Sequence, residues 1–509
     1  MAKYTGPVFC VTFPLAATVN DIHVLEKRFK IANKMQNALI GKGIKRWNEL
    51  QKSKEYKTIR DSFSSNKEKN AKLYQELKVL VSKYGLDKSG FEKLVKPMQH
   101  HFKENIDSHA AQDLAKRVSD AFEKVIFKNG KSIHKISLKD FTSISGKTNA
   151  TGIRFLKDPE FDCYYLSWNG LEIPVSVANN EYEQTAVRNE ISLTKIVRKF
   201  IRGRYKYYVQ VTFRGVPPLK HNMDGSIKYA LGEGDVGIDN GTSTMAVVSE
   251  KTANMHELAD KVQSIESEIR KLLRKMDRSR RATNPSNFNE NGTVKTKAER
   301  TKWVESKIYK RDRNKLKDLY RHQADVRKPQ HIMLANEVLT LGSDFYVEDL
   351  NYAALAKRSK SNKQAKSSKD TSTDSTQHNK NKRANRFGKS IGHRAPAMFL
   401  SILEKKLEAR GAKLTRIDTK ACRASQYNHF VEEYKKKKLS QRWNDFNGIK
   451  VQRDLYSAFL IMNVNKDLKS FDKKKCDERF AAFKVAHDAE IERLRHKKNL
   501  SCIGVCSCY

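Results

Sequence analysis

The sequence predicts a multidomain α+β protein, and three observations carry that expectation. Apolar residues recur at helical spacing through a Lys-rich stretch from about residue 19 to 135. Alternating apolar and polar runs, broken at Asn169-Gly170 and Arg202-Gly203, follow to about 213. From Asp235 onward strand-like and helix-like segments take turns. A helical domain, an antiparallel sheet or small barrel, and a mixed sheet with flanking helices are the layer architectures that suit these patterns. At 509 residues the chain can build roughly two to four domains with their own cores.

Residues 8–14 read as a strand closed by Pro14. A helix follows with Asn20 as its cap and Ile22, Leu25, Phe29, Ala32 and Met35 on one face; Gly41, Gly43, Gly85 and Gly90 mark expected breaks. Segments 161–168 and 171–177 flank Asn169-Gly170, a pair suited to a type I′ turn because both positions need positive φ. Strands at 191–201 and 205–213 form the next hairpin; Tyr207, Val209, Val211 and Phe213 alternate with Tyr208, Gln210 and Thr212. A third hairpin spans 235–249, turning at Asn240-Gly241. An amphipathic helix then carries Val262, Ile265, Ile269, Leu272 and Met276 on one stripe. Residues 281–300 read as loop, helix resumes to about 341, and 345–349 is a strand. Residues 357–392 are a low-complexity Lys/Ser/Asn/Thr stretch. A helix at about 396–410 stops at Gly411, a strand covers 413–418, and helices at about 451–464 and 473–496 end the chain. From Asp235 onward this order is the plan of ribonuclease H-like folds.

Composition narrows the partner. With 100 Lys+Arg against 58 Asp+Glu the formal net charge is +42, so a polyanion is expected, bound by phosphate neutralisation and counterion release. No apolar run approaches the ~18 residues that span a bilayer, and no signal-peptide pattern opens the chain. A cytoplasmic, nucleoid-associated protein with no membrane partner is therefore expected. Cys10, Cys163, Cys422 and Cys476 stand apart, as free thiols in a reducing compartment do; Cys502, Cys506 and Cys508 form a short terminal run that reads as an unanchored tail.

Within this cationic background three acids stand at element ends: Asp239 in GIDNG, Glu348 in YVED, and Asp454 in QRDLYSAF. Carboxylates from separate elements are what a hard divalent cation needs to work on a phosphodiester, with two ions about 3.5–4 Å apart in the two-metal arrangement. Asp454 also suits the positive N-terminal end of its helix. Each motif alone has an ordinary reading, as hairpin turn, strand-end punctuation or helix-start acid. Their order, each on the right element type, is the signal.

From about residue 231 to 464 the sequence resembles the RuvC nuclease domain of transposon-encoded TnpB proteins and the compact type V CRISPR effectors. The matching segments are VGIDNGTSTMAVVS, YVEDLN, Arg386–Ile391, LSQRW at Leu439–Trp443 and RDLYSAF at Arg453–Phe459, in family order. The N-terminal half matches in layout only. The resemblance implies an RNase H-like (RuvC) α/β nuclease domain plus an antiparallel β-barrel (wedge) domain with a helical recognition insertion. It divides the chain into a first wedge strand (1–18), a helical recognition domain (19–135), the rest of the wedge barrel (136–230), a RuvC domain (231–419) with its basic insertion 357–392, a degenerate zinc-finger-like segment (420–450), and the final RuvC helix with a C-terminal helix and tail (451–509). It implies a catalytic, Mg²⁺-binding triad of Asp239, Glu348 and Asp454, with two ions and Mn²⁺ as a substitute. Guide RNA, double-stranded target DNA and the displaced single strand are the implied partners, with base pairing supplying sequence specificity. Nucleic-acid contacts are expected from Arg383, Arg386, Lys389, Arg394, Arg442 and Arg453.

One departure is expected to matter. The family's zinc site uses two Cys pairs, but here Ser425-Gln426 leads into Tyr427-Asn428-His429 and Trp443 into Asn444-Asp445-Phe446, so zinc is not expected and other packing must hold the segment. The leading expectation is an RNA-guided DNA endonuclease whose single site cuts both strands. The alternatives are an RNA-guided DNA-binding regulator with weak or no cleavage, a structural RNA-binding protein, and a guide-free resolvase or transposase.

Overall fold

The structure, a computed structural model, describes residues 4–64, 67–128, 130, 132–357, 387–438 and 441–495. It forms two compact units, Met1–Lys220 and His221–Tyr509. Most of the low-complexity stretch, with Arg383 and Arg386, lies outside the described residues, as does the terminal cysteine run.

The first unit opens with β1 (Val8–Pro14), whose Phe9, Val11 and Phe13 alternate inward. Helix α1 (Val19–Lys52) is capped by Thr18 rather than Asn20, because Thr18 and Asp21 satisfy each other's backbone N–H groups in a capping box. α1 also runs unbroken through Gly41 and Gly43. At Gly43 the reason is packing: a Cβ there would stand 2.5 Å from Phe122 and 2.9 Å from Phe91. The helices α2 (Lys54–Asp61), α3 (Lys67–Lys83), α4 (Lys88–His101) and α5 (Ser108–Phe127) complete the helical part. Gly85, at φ +62°, does end α3, whereas Gly90 lies inside α4.

The strands β2 (Ser143–Ser145), β3 (Arg154–Lys157), β4 (Tyr164–Trp168) and β5 (Leu171–Val175) are followed by α6 (Glu181–Ala186), β6 (Ile191–Ile201) and β7 (Arg204–Arg214). Asn169, Gly170, Arg202 and Gly203 all adopt positive φ, so both hairpins turn where the residue types allow it. Among the described residues the strands form two antiparallel sheets, β1-β7-β6-β2 and β3-β4-β5, and a closed barrel is not seen. β2 is a three-residue edge and β3 pairs only with β4; the sheets meet at one corner through the Leu15–Val175 bridge.

The second unit is a three-layer α/β domain. β8 (Asp235–Asn240), β9 (Thr244–Ser249) and β10 (Ala253–Glu257) form an antiparallel meander, with β10 unforeseen from the sequence. α7 (Val262–Thr283) and α8 (Lys307–Leu339) follow, then β11 (Asp344–Glu348), α9 (Tyr352–Ala356), α10 (Gly388–Arg394), α11 (Pro396–Glu408) and β12 (Leu414–Ile417). The sheet order is β10-β9-β8-β11-β12, with β8, β11 and β12 parallel. After α12 (Thr419–Cys422) come two small hairpins, β13 (Tyr427–Asn428) with β14 (Glu433–Tyr434) and β15 (Trp443–Phe446) with β16 (Ile449–Gln452). β16 runs directly into α13 (Arg453–Met462), and α14 (Lys473–Arg495) closes the fold.

Val236 and Ile238 face a core shared with α8 and α11, whereas Ala246 and Val248 face one shared with α13 and α14. Gly237 is what lets α13 lie against β8: a Cβ there would stand 2.0 Å from the Ala458 carbonyl oxygen and 2.4 Å from the Met462 nitrogen. Gly237→Ala should therefore destabilise this unit by at least about 3 kcal/mol, roughly 6–12 °C in Tm for a unit of this size. An unchanged melting temperature would refute that packing role. Among the described residues no helix is long and apolar enough to cross a membrane.

Candidate active site

Strand alternation places the three acids. Gly237 and Asp239 share a face of β8 because side chains repeat every second residue. On α13, Asp454, Ala458 and Met462 share a stripe because four residues make about one helical turn. Since Gly237 meets Ala458 and Met462, Asp239 two residues further along β8 is carried toward Asp454 at the helix start. The pairing of Ile238 with Val347 sets Glu348 beside Asp239 on the neighbouring parallel strand. All three carboxylates line one cavity of about 500 Å³ with Thr242, Ser243, Phe387, Gln426, Lys437, Arg442 and Arg453. Carboxyl ends of parallel strands are where open α/β sheets place their ligands.

The electrostatics follow first from burial and then, at Asp239, from the neighbouring acids. Burial, then the neighbouring Glu348 and Asp454 charges, hold the Asp239 carboxyl well above the usual carboxylate range, with Arg453 partly opposing. Burial pushes Glu348 up to about 7. Tyr352, its hydroxyl donating to the Asn240 carbonyl at 2.5 Å, is raised as well, first by burial and then by both acids. Without a cation the site disfavours full ionisation of the pair.

Asp454 is held differently. Gln452 caps α13, its Oε1 accepting the N–H groups of Asp454 at 2.7 Å and Leu455 at 2.8 Å. Arg453 reaches one Asp454 oxygen at 3.2 Å and Arg442 the other at 3.5 Å. Behind the cap, buried His487 accepts the Gln452 N–H on Nε2 at 2.9 Å, so its proton sits on Nδ1, 2.9 Å from Asp488.

The donor set suits a hard divalent cation: three carboxylates from separate elements, two of them held back from ionising chiefly by burial. Among the described residues no group of three His, Cys, Asp or Glu side chains stands ready-made for a metal, and Asp454 is engaged by its two arginines.

The expected nucleic-acid contacts separate. Lys389 is exposed on α10, and Arg442 and Arg453 line the cavity. Arg394 is buried; its guanidinium donates to the carbonyls of Leu258 and Ala259 and pairs with Glu257, so it anchors α10 and is not offered to a ligand. The sequence offered no hint of Lys437 or His487, and only a faint one of Gln452. A Gln immediately before Arg-Asp at the head of an apolar run was the readable trace of the cap, but Gln is not among the favoured cap residues.

Residues 420–450 are held by aromatic packing. Tyr427 packs at a tilt against Tyr434 and Phe471, and Phe430 packs at a tilt against Phe446 and edge-on against Phe480. Fully buried His429 sits among Phe430, Tyr456, Phe459 and Phe480, its Nδ1 2.6 Å from the Tyr456 hydroxyl; burial lowers it to about 4. Cys422, the segment's one cysteine, is buried against the Leu468 carbonyl and pushed up to about 12. This donor set does not fit zinc. A zinc chelator should leave the unit's Tm unchanged, while His429→Ala should lower its stability by about 2–4 kcal/mol. Melting brought on by the chelator would contradict this account.

No protein-family model matches the chain. No curated protein matches it either. Among solved structures it is similar to a chain in a cryo-EM structure of a Cas12f1–sgRNA–target DNA complex, at 12% identity and a TM-score of 0.47, over 88% of this chain and 83% of that one. A chain in a cryo-EM structure of a CRISPR–Cas12f ternary complex aligns at 12% identity and a TM-score of 0.25, over 88% and 82%. Likeness of this degree does not carry an activity across, so function rests on the residues.

Proposed function

We propose that this protein is an RNA-guided DNA endonuclease with one metal-dependent RuvC-type site at Asp239, Glu348 and Asp454. The observation that carries the reading is the meeting of these three acids, from β8, β11 and α13, in one cation-rimmed cavity. Guidance by RNA is supported by the order of sequence motifs and by the +42 charge.

Bound Mg²⁺, held by these carboxylates, would supply Lewis-acid stabilisation and a water-derived nucleophile at neutral pH. The chain's own residues do the rest. Asp239 and Glu348 provide oxygens from a rigid sheet. Gln452, backed by His487, fixes the start of α13 and so the Asp454 carboxyl. Arg442 and Arg453 present positive charge at the cavity where a strand's phosphates would lie. A second reading, a guided DNA binder with weak or no cleavage, draws on the two ion pairs that engage Asp454.

The deciding experiment purifies the protein with its RNA, sequences that RNA, and offers Mg²⁺ and a plasmid carrying the matching target. Linear product favours the nuclease; guided binding without any cut favours the second reading; absence of bound RNA rejects both.

A further inference from the structure

The cavity holds two lysines that the three acids do not explain, exposed Lys436 and half-buried Lys437, and only the second is withdrawn from water. Arg442 and Arg453 are both paired with Asp454. Lys437 is half-buried in the same cavity wall, and among the described residues its ammonium makes no ion pair. Its hydrogen-bond partner is a neutral amide: Nζ donates to Asn444 Oδ1 at 2.6 Å. The charges that act on it are those of Arg453 and Lys435, both cations, and together with burial they lower its pKa, burial being the larger cause.

Holding an ammonium in this place is unfavourable in the free protein. A partly desolvated charge without a counter-ion is destabilising, and two neighbouring cations add to it. Asn444 adds a second unfavourable element. It is buried, and turning Oδ1 toward Lys437 leaves its Nδ2 without a hydrogen-bond partner. Asn444 stands on β15 opposite Val451 of β16, the strand that leads straight into Gln452 and Asp454. The ammonium is thus tied to the same hairpin that sets the third acid. An anion arriving in the cavity offsets both the desolvated ammonium and the repulsion from its cationic neighbours. Given the acids beside it, the anion that fits is a phosphodiester.

We propose that Lys437, seated by Asn444, is a catalytic residue that binds a non-bridging oxygen of the reacting phosphate on a nucleic-acid strand. This rests on the nuclease reading for its chemistry, but the phosphate site itself does not require cutting. Its ammonium provides fixed positive charge where negative charge builds up on the phosphoryl oxygens during displacement, the kind of preorganised stabilisation whose removal lowers rates by about 10²–10³-fold. Arg442 and Arg453 are already engaged by Asp454 and Lys436 is exposed to water, so Lys437 is the half-buried cavity cation that gains most from meeting the phosphate.

The test has two arms on the full-length protein. In the first, lysines are acetylated without metal, in the presence of a short single-stranded DNA oligonucleotide with either phosphodiester or uncharged methylphosphonate linkages, and mapped by mass spectrometry. Lys437 should be protected severalfold by the phosphodiester and not by the methylphosphonate; equal acetylation of Lys437 with both overturns the proposal. In the second, single-turnover cutting of a matched target by RNA-loaded protein is measured for Lys437→Met and Lys437→Arg. Lys437→Met should lose about 10²-fold with no lowering of Tm, and Lys437→Arg should recover part of it. Undiminished cutting by Lys437→Met overturns the catalytic role. Charge-dependent protection in a wild-type protein that never cuts upholds the phosphate site and rejects the nuclease reading.

Discussion

Asp239→Asn should abolish strand cutting, lowering the single-turnover rate by at least about 10³-fold, roughly 4 kcal/mol of barrier, while RNA and DNA binding stay near wild type. The asymmetry follows from where the residue sits. Asp239 is recessed on β8 and its neighbours are Glu348, Asp454 and Arg453, so it contributes to the cavity floor and not to a nucleic-acid surface. Asn keeps the shape and removes the charge. The same substitution relieves repulsion in the metal-free protein, so the variant should melt higher than wild type above neutral pH. A variant that cuts normally, or one that melts lower, would count against the placement of this acid.

The second large effect is a pH dependence of stability centred on Glu348. Its carboxyl titrates near 4.5 when unfolded and is pushed up to about 7 in the fold by burial. Between those values the folded state holds a proton that the unfolded state has released, so stability falls as pH rises through that window. The group is partly accessible and shares its titration with Asp239, so the loss from pH 5 to 8 is on the order of 2 kcal/mol, roughly 4–8 °C in Tm for a unit of this size. Glu348→Gln should flatten that slope and melt higher than wild type at pH 8. Millimolar Mg²⁺ should raise the wild-type Tm at pH 8 and do little for the variant. Parallel Tm–pH curves for the two proteins would remove Glu348 from the crowded site.

The acids were readable in the sequence because each ends an apolar run: Asp239 after Val236 and Ile238, Glu348 after Phe345 and Val347, Asp454 before Leu455. Local periodicity places such residues at element ends whatever the tertiary fold. The glycine that brings them together was equally visible but silent, since only the 2.0 Å approach of the Ala458 carbonyl shows what Gly237 is for. Gly43 failed as a helix break for a related reason: contact with Phe122 and Phe91 outweighs the intrinsic helix cost of glycine, about 1 kcal/mol. β10 was missed because Ala253–Glu257, though Ala253 and Met255 alternate with polar residues, is short and has no β-branched residue; it pairs with β9 and its Met255 N–H donates to buried Glu490 at 2.7 Å on α14. Arg394 was misjudged because a basic stretch reads as solvated until its carbonyl partners are seen. Lys437 and Asn444 lie seven residues apart, Lys437 outside any helix or strand and Asn444 on β15, and no periodicity links them.

The most direct test of the central claim, that Asp239, Glu348 and Asp454 together form a divalent-cation site, is a Mn²⁺ titration followed by electron paramagnetic resonance in the absence of nucleic acid. The wild-type protein should take up Mn²⁺ at pH 8, bind it more weakly as the pH falls through 7 and Glu348 regains its proton, and lose the site in Asp239→Asn. Undiminished uptake by an Asp239→Asn/Glu348→Gln double variant would contradict the account.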